Sequence, residues 1–508
     1  MTCGNLPTIK FMKLKFFLLL TLALPLAGRA QTNDPITPNT RAISLEEAIE
    51  QAIQHGFDVR IERMNPWLSR YDLSIAYGGY DPTFTAAGTH DYSKTGASLF
   101  NGNIVSPSRT TDDNNFSSSL DGALPWGMTY ALQGTTKDTY GQSTTAFENT
   151  TASTSIGLTQ PLLKNFWIDN TRLTISVAKN RIKYSEQALT LQIMNTVTAV
   201  ENAYYELIFA QENVKVQEKA LQLAEQLASE NKKRVEVGVL APLDEKQADS
   251  QVATRRADLL IAHQALNTAQ NVLKNLITDD YARLHDVALA PSEPLTAISQ
   301  TFSLQDSWKQ GLTSRPDLLQ AKLDLERSGL QLKYYKNQVF PQLDLVGSYG
   351  LTGSRKEFSG AFDDVHNGNL PFYSYGVQFS IPLGNIAARN RYKQGKVTVE
   401  QALLTTKKLE QDVMVQIDDA IKQAQSDFQR VDATHQARLY AESALEAEQK
   451  KLENGKSTSF NVLSLQSDLT AARSAEIRAL ADYNKSLAAV AFNEGNTLKR
   501  RKIDLSVK

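Results

Sequence analysis

The chain repeats itself. "SLEEAIEQAIQHGFDV" from Ser44 aligns with "SLQDSWKQGLTSRPDL" from Ser303, 259 residues later. The same offset pairs Asp58 with Asp317, Leu73 with Leu332, Pro82 with Pro341 and Gly88 with Gly347. Further on, "GLTQPLLKN" at Gly157 resembles "GVQFSIPLGN" at Gly376. Two later stretches, "VGVLAPLDEKQADS" from Val237 and "NGKSTSFNVLSLQSDL" from Asn454, share one layout. A glycine is followed three residues on by a small residue and six on by a capping side chain. The positions are Gly238, Ala241 and Asp244 in one copy, and Gly455, Thr458 and Asn461 in the other. The offset has by then shrunk to 217, because the first copy carries a longer insertion between Pro82 and Pro161. A tandem duplication obliges the two halves to take related folds and to pack as related units. The unit reads as helix, strands, long helix, turn, helix.

Within each unit the hydrophobic period changes. After Pro341, Leu343, Leu345, Gly347, Tyr349 and Leu351 alternate with Gln342, Asp344, Ser348 and Gly350. Tyr375, Val377, Phe379 and Ile381 alternate with Ser374, Gly376, Gln378 and Ser380, and Met128, Tyr130 and Leu132 with Thr129, Ala131 and Gln133. A period of two means strands. An apolar face opposite a small, uncharged polar one suits a barrel with lipid outside and water inside; one sheet of a soluble sandwich is the other reading. "FSSSLDGALPWGMTYALQGT", within an insertion from about Phe116 to Asp138, predicts an extra hairpin turning at Pro125 to Gly127. Sequence leaves open whether that hairpin joins the wall, packs outside it or folds inward.

The remainder has helical spacing. About Leu173 to Val237 contains no proline or glycine, and at ~1.5 Å per residue predicts a helix roughly 100 Å long. Leu243 to Leu276 is about half as long, with a heptad seam at Leu259, Ala262, Leu266, Ala269, Leu273 and Leu276. Laid end to end with Asp317 to Gln338, it nearly matches the long helix. In the second unit Ile386 to Glu453 is long, and Val462 to Val490 is completed by Asp58 to Gly79. Gly238 and Gly455 supply the left-handed residue that ends a helix. Asp244 and Asn461, or a neighbour such as Ser459, accept backbone N–H groups to start the next.

Composition excludes several functions. Lys plus Arg is 54 against 55 Asp plus Glu, so no bulk charge favours nucleic acid. Cys3 is the only cysteine and the six histidines are scattered, so no metal site is expected, nor any cofactor. Residues 1–30 read as a signal peptide: Lys10, Lys13 and Lys15, the apolar "FFLLLTLALPLAG", then small residues at Gly28 and Ala30. No lipid-accepting cysteine follows that site. The first repeat is expected over 31–300, with strands about 82–161 and a helical hairpin about 173–278 whose tip is 238–244. The second is expected over 301–497, with strands about 340–383 and a hairpin about 386–495 whose tip is 455–461. Residues 498–508, with "LKRRK", read as a flexible tail.

The duplicated openings, Asp81-Pro82 and Phe340-Pro341 ahead of the strands, "LTQPLL" and the paired tips together resemble the TolC family of outer-membrane efflux proteins. The resemblance covers essentially the whole mature chain. It implies an α+β membrane protein: a homotrimeric β-barrel in outer-membrane lipid, continued by a long periplasmic α-helical barrel and built from a tandem repeat. It also implies a passive conduit for efflux or type I secretion, docked onto a periplasmic adaptor protein and an inner-membrane transporter. The docking tips would be Gly238, Val239, Leu240 and Ala241, with Gly455, Lys456, Ser457 and Thr458. The periplasmic constriction would involve Asp244, Asn461 and Ser464. The family's best-known member has acidic residues at the last two of those positions, an arginine at Ser457 and a tyrosine at Leu452. Asp244 alone keeps its charge, so a salt-bridge latch at the mouth is not expected. The resemblance implies four strands per chain and twelve per trimer; the extra hairpin would make these six and eighteen.

A periplasmic coiled-coil adaptor is the alternative, but it predicts one hairpin and mixed-charge strand faces. An enzyme with helical arms would need a nucleophile elbow, phosphate loop or metal cluster. "GKST" at Gly455 lacks the upstream glycines of a phosphate loop.

Overall fold

Helix lengths and strand lengths follow the two periodicities closely. The computed structural model describes residues 39–101 and 103–503; the expected signal peptide and the last five residues of the tail lie outside them. The first repeat opens with β1 (Asn39–Ile43), α1 (Leu45–His55), α2 (Phe57–Glu62) and α3 (Met64–Tyr77). Strands β2 (Thr83–Thr95), β3 (Ser98–Phe100), β4 (Asn103–Ser106), β5 (Arg109–Ala123), β6 (Thr129–Gln142) and β7 (Ala146–Pro161) follow. Next come α4 (Asn170–Glu236), 67 residues long, and α5 (Pro242–Ile277). Helix α6 (Tyr281–Leu284) and β8 (Val287–Pro291) lead to the second repeat. That repeat comprises α7 (Leu304–Ser314), α8 (Pro316–Gln338), β9 (Gln342–Arg355), α9 (Phe358–His366), β10 (Pro371–Ser380), the 68-residue α10 (Ile386–Glu453) and α11 (Ser459–Asn493). Helix α12 (Thr497–Arg500) ends it. The duplicated serines have one role: Ser44 accepts the Glu47 N–H at 3.1 Å, and Ser303 accepts that of Asp306 at 3.5 Å, each capping a helix.

Six strands form one antiparallel sheet in the order β10-β9-β7-β6-β5-β2. The extra hairpin is therefore part of this sheet, turning where expected, with Gly127 at φ +91° and its N–H bonded to the Leu124 carbonyl at 2.8 Å. Strands β3 and β4 pair with each other, and β1 pairs with β8. One row of directly opposed residues crosses the whole sheet: Phe84, Leu120, Leu132, Ile156, Tyr349 and Tyr373. The next row on the other face is Thr85, Ser119, Gln133, Ser155, Gly350 and Phe372. On β7 and β9 the apolar face is the exposed one (Ile156, Leu158, Leu345, Tyr349). The polar face there is half-buried or buried (Ser153, Ser155, Asp344, Gly350). The sheet thus curls around its polar side.

Helix α4 packs along α5 and α11 on one part of its length, and along α3 and α8 on the other; α10 packs along α11 and α8. The stacking differs from the expectation. The end of α5 meets the start of α2, where Arg60 Nη1 pairs with Asp279 Oδ2 at 2.9 Å. The end of α11 meets the junction of α7 and α8, where Ser307 Oγ of α7 donates to Glu494 Oε1 at 2.5 Å and a Cβ on Gly495 would lie 3.0 Å from the Arg315 nitrogen. So α5 is continued by α3, and α11 by α8: each repeat closes its own column. Helix lengths fit either pairing, and only these end contacts choose between them.

The two repeats also have corresponding cores. In the first, Val197, Val200 and Leu207 of α4 are fully buried against Ile43, Leu45 and Val59, and Tyr204 Oη donates to the Ile43 carbonyl at 3.0 Å. In the second, Val413, Ile417 and Leu487 pack against Trp308 and Leu312, and Tyr483 Oη donates to the Ile298 carbonyl at 2.6 Å. A buried Leu or Val of this kind contributes about 1.5–3 kcal/mol. The tail is not free up to Arg501. Leu498 is buried, and Arg501 Nε donates to Glu201 Oε1 at 2.6 Å, with Glu201 only 1% exposed. A buried carboxylate needs such a partner. Among the described residues no helix is long and apolar enough to cross a membrane.

Candidate functional site

The two turns that interrupt the helical hairpins are built alike. At the end of α4 the Gly238 N–H bonds to the Val235 carbonyl at 2.9 Å and the Val239 N–H to that of Arg234 at 2.8 Å. At the end of α10 the Gly455 N–H bonds to the Leu452 carbonyl at 3.1 Å and the Lys456 N–H to that of Lys451 at 2.8 Å. This pair of bonds is a Schellman motif, which needs a left-handed residue; Gly238 has φ +78° and Gly455 φ +68°. Open space surrounds both glycines, so backbone conformation and not crowding requires them.

The residues that begin the next helices are not quite those expected. Ala241 is the N-cap of α5, with Pro242 at its first position, and Asp244 sits three residues on. Asp244 Oδ2 accepts the Ala241 N–H at 3.1 Å, the carboxylate half of a capping box. Thr458 is the N-cap of α11, and its hydroxyl accepts the Asn461 N–H at 3.4 Å. Ser459, the neighbour considered for that role, is buried and donates to Asn231 Oδ1 of α4 at 2.9 Å, fastening the second tip to the first hairpin.

The remaining site residues divide into two groups. Val239, Ala241, Lys456 and Thr458 are exposed, while Leu240 and Ser457 are half-buried. Ser457 Oγ donates to Glu448 Oε1 at 2.6 Å, Lys451 Nζ donates to Glu448 Oε2 at 2.9 Å, and Asn461 Nδ2 reaches Ser457 Oγ at 3.5 Å. The Ser457 hydrogen bond, then the Lys451 ammonium, holds the Glu448 carboxyl below its ordinary value. Leu452 is buried with Leu227, Leu445, Val462 and Leu463, so it serves the packing of the tip. Ser464 lines a groove between α5 and α11 with Leu243, Lys246 and Phe460. Within the chain Asp244 bonds neither Asn461 nor Ser464; its carboxylate accepts from Ala241 of its own tip.

Sequence reasoning missed Glu448, Leu243 and Phe460. The last two were findable: each lies five residues after its tip glycine, and they are 65% and 63% exposed. Paired apolar side chains at matching positions, left in solvent beside a groove, mark a contact surface better than the turn itself. Glu448 gave no such signal, because its partner Ser457 lies across the turn.

A family model described as "Outer membrane efflux protein" matches residues 128–278 and 308–495. The outer membrane efflux protein BepC of Brucella suis biovar 1 is 24% identical over 65% of this chain and 69% of its own length. The outer membrane protein TolC of Vibrio cholerae is 24% identical over 67% of this chain and 73% of its own. Among solved structures, the CmeC outer membrane channel of Campylobacter jejuni superposes with a TM-score of 0.66 at 15% identity, covering 91% of this chain and 90% of that one.

Proposed function

This chain belongs to the outer membrane efflux protein family, and from that membership we propose a division of labour along its length. The chain is an outer-membrane channel. Its six-stranded sheet lies in the outer membrane and its helical columns reach through the periplasm, with repeats over 31–300 and 301–497. Three copies form a passive conduit with no catalytic step. The tips at Gly238 to Ala241 and Gly455 to Thr458 dock onto a periplasmic adaptor, which connects the conduit to an inner-membrane transporter. Asp244, Asn461 and Ser464 lie around the periplasmic mouth.

One observation carries this reading. Two tips with the same pair of backbone hydrogen bonds stand at the ends of helices of 67 and 68 residues that begin beside the sheet. At ~1.5 Å per residue that separation is about 100 Å. A single-hairpin adaptor has no use for two such tips. The test is extraction of outer membranes in detergent followed by native mass measurement, where a trimer is expected. Recovery as a stable monomer in the soluble periplasmic fraction would overturn the reading.

A further inference from the structure

The sheet has two open edges, β2 and β10. Strand β2 is 13 residues long and β10 is 10, about the length of a membrane-crossing strand. In hydrocarbon an open edge leaves the outward-pointing N–H and C=O groups of alternate residues unsatisfied, so the sheet must close. Six strands are too few to close on themselves, since eight already give an interior only just wide enough for side chains. Both edges belong to the same apolar row, which begins at Phe84 on β2 and ends at Tyr373 on β10. Strand β2 leads away from the helices and β10 returns to them. Edges meeting between copies are therefore antiparallel, like each neighbouring pair within the sheet.

We infer that β2 of one copy pairs with β10 of the next, so that three copies close an eighteen-stranded barrel with the β5–β6 hairpin in its lipid-facing wall. The trimer itself rests on the function proposed above; the strand count does not follow from it. Were the hairpin off the wall, β2 would meet β7 directly, and three copies would make twelve strands. Two observations keep it in. Strand β5 is bonded to β2 and β6, and β6 to β5 and β7, along nearly their full lengths. The apolar row also runs unbroken through them at Leu120 and Leu132, while Ser119 and Gln133 continue the polar row behind. A hairpin packed outside or plugging the lumen has no reason to keep both rows in step. Barrel diameter grows roughly linearly with strand number, so the outer-membrane pore is about 1.5 times as wide as a twelve-stranded one.

Imaging the purified trimer in lipid nanodiscs by electron microscopy counts the strands directly. Eighteen are expected. Twelve, with the hairpin off the wall, overturns the inference and leaves the channel reading intact; failure to form a trimer sinks both. A second measurement needs no map. Leu132→Arg places a charge toward lipid and should lower the yield of inserted trimer about tenfold or more. Gln133→Arg points to the lumen and should insert normally. Equal tolerance of the two substitutions would contradict a place for β6 in the wall.

Discussion

Two charged residues 300 positions apart in the chain show how much a single side chain controls. Glu201 is buried on α4, and Arg501 supplies its charged partner from 300 residues away. Removing the guanidinium leaves an uncompensated buried carboxylate, so Arg501→Ala is expected to lower stability by about 3 kcal/mol. Thermal unfolding of the purified protein measures it, and Lys499→Ala, exposed on the short helix that Arg501 caps, is the control that should stay near wild type. In sequence, "LKRRK" is only a charge run; nothing local announces a partner so distant, which is why it read as a free tail. Glu448 is the opposite case, satisfied within its own turn. Hydrogen bonding favours its charged form, so its carboxyl titrates below the ordinary value of 4.5. The clasp with Ser457 is therefore fully present above that pH and is lost only as pH falls below it. Hydrogen exchange at the second tip should be faster in Glu448→Gln than in wild type at neutral pH. The difference should vanish once wild type is itself protonated.

Elements were legible where a period or a turn residue specifies them. Both long helices, both tip glycines and the hairpin at Pro125 to Gly127 stand where spacing put them. What sequence did not give was which short helix stacks on which, because that depends on end contacts such as Arg60 with Asp279. Strand membership was likewise open, since alternation identifies a strand but not its neighbours. The glycine turns make a clean test of the tips. With open space around each, a substitution meets only the left-handed backbone, at about 1–2 kcal/mol per residue. Gly238→Val and Gly455→Val should block export while leaving trimer and membrane insertion intact. Normal export by both variants would argue against docking through the tips. A substitution at Gly353 should act elsewhere, because a Cβ there would lie 2.1 Å from the Ala361 carbonyl oxygen. Gly353→Val is thus expected to displace α9 from the sheet, read as increased protease cleavage between β9 and β10.

At the scale of the whole conduit, the periplasmic mouth proposed above would combine one carboxylate, Asp244, with the neutral Asn461 and Ser464. Within the chain Asp244 accepts one backbone N–H and Ser457 is engaged by Glu448, and the proposed ring offers Asp244 no cationic partner at Asn461, Ser464 or Ser457. Neutral hydrogen bonds contribute about 0.5–1.5 kcal/mol each, against about 1.5–3 with a charged partner. On that proposal the latch would depend on Asp244 and on helix packing, and its preference for cations should be weaker than that of a mouth with three acidic rings. In planar-bilayer recordings Asp244→Asn should reduce the cation preference and Asn461→Asp should raise it. No change in either selectivity or conductance with Asp244→Asn would remove it from the constriction.

The six-stranded sheet gives those recordings a particular meaning. Ionic resistances along a tube add in series, and each section's share rises with its length and falls with its cross-section. Widening the outer-membrane section about 1.5-fold roughly halves the resistance of a part that was already short. Nearly all of the voltage drop is thereby moved onto the helical section of about 100 Å and its tips. A current trace from this protein reports on the helical section and its tips, and charge changes on the lumen side of the strands, such as Gln133→Arg, should barely alter it.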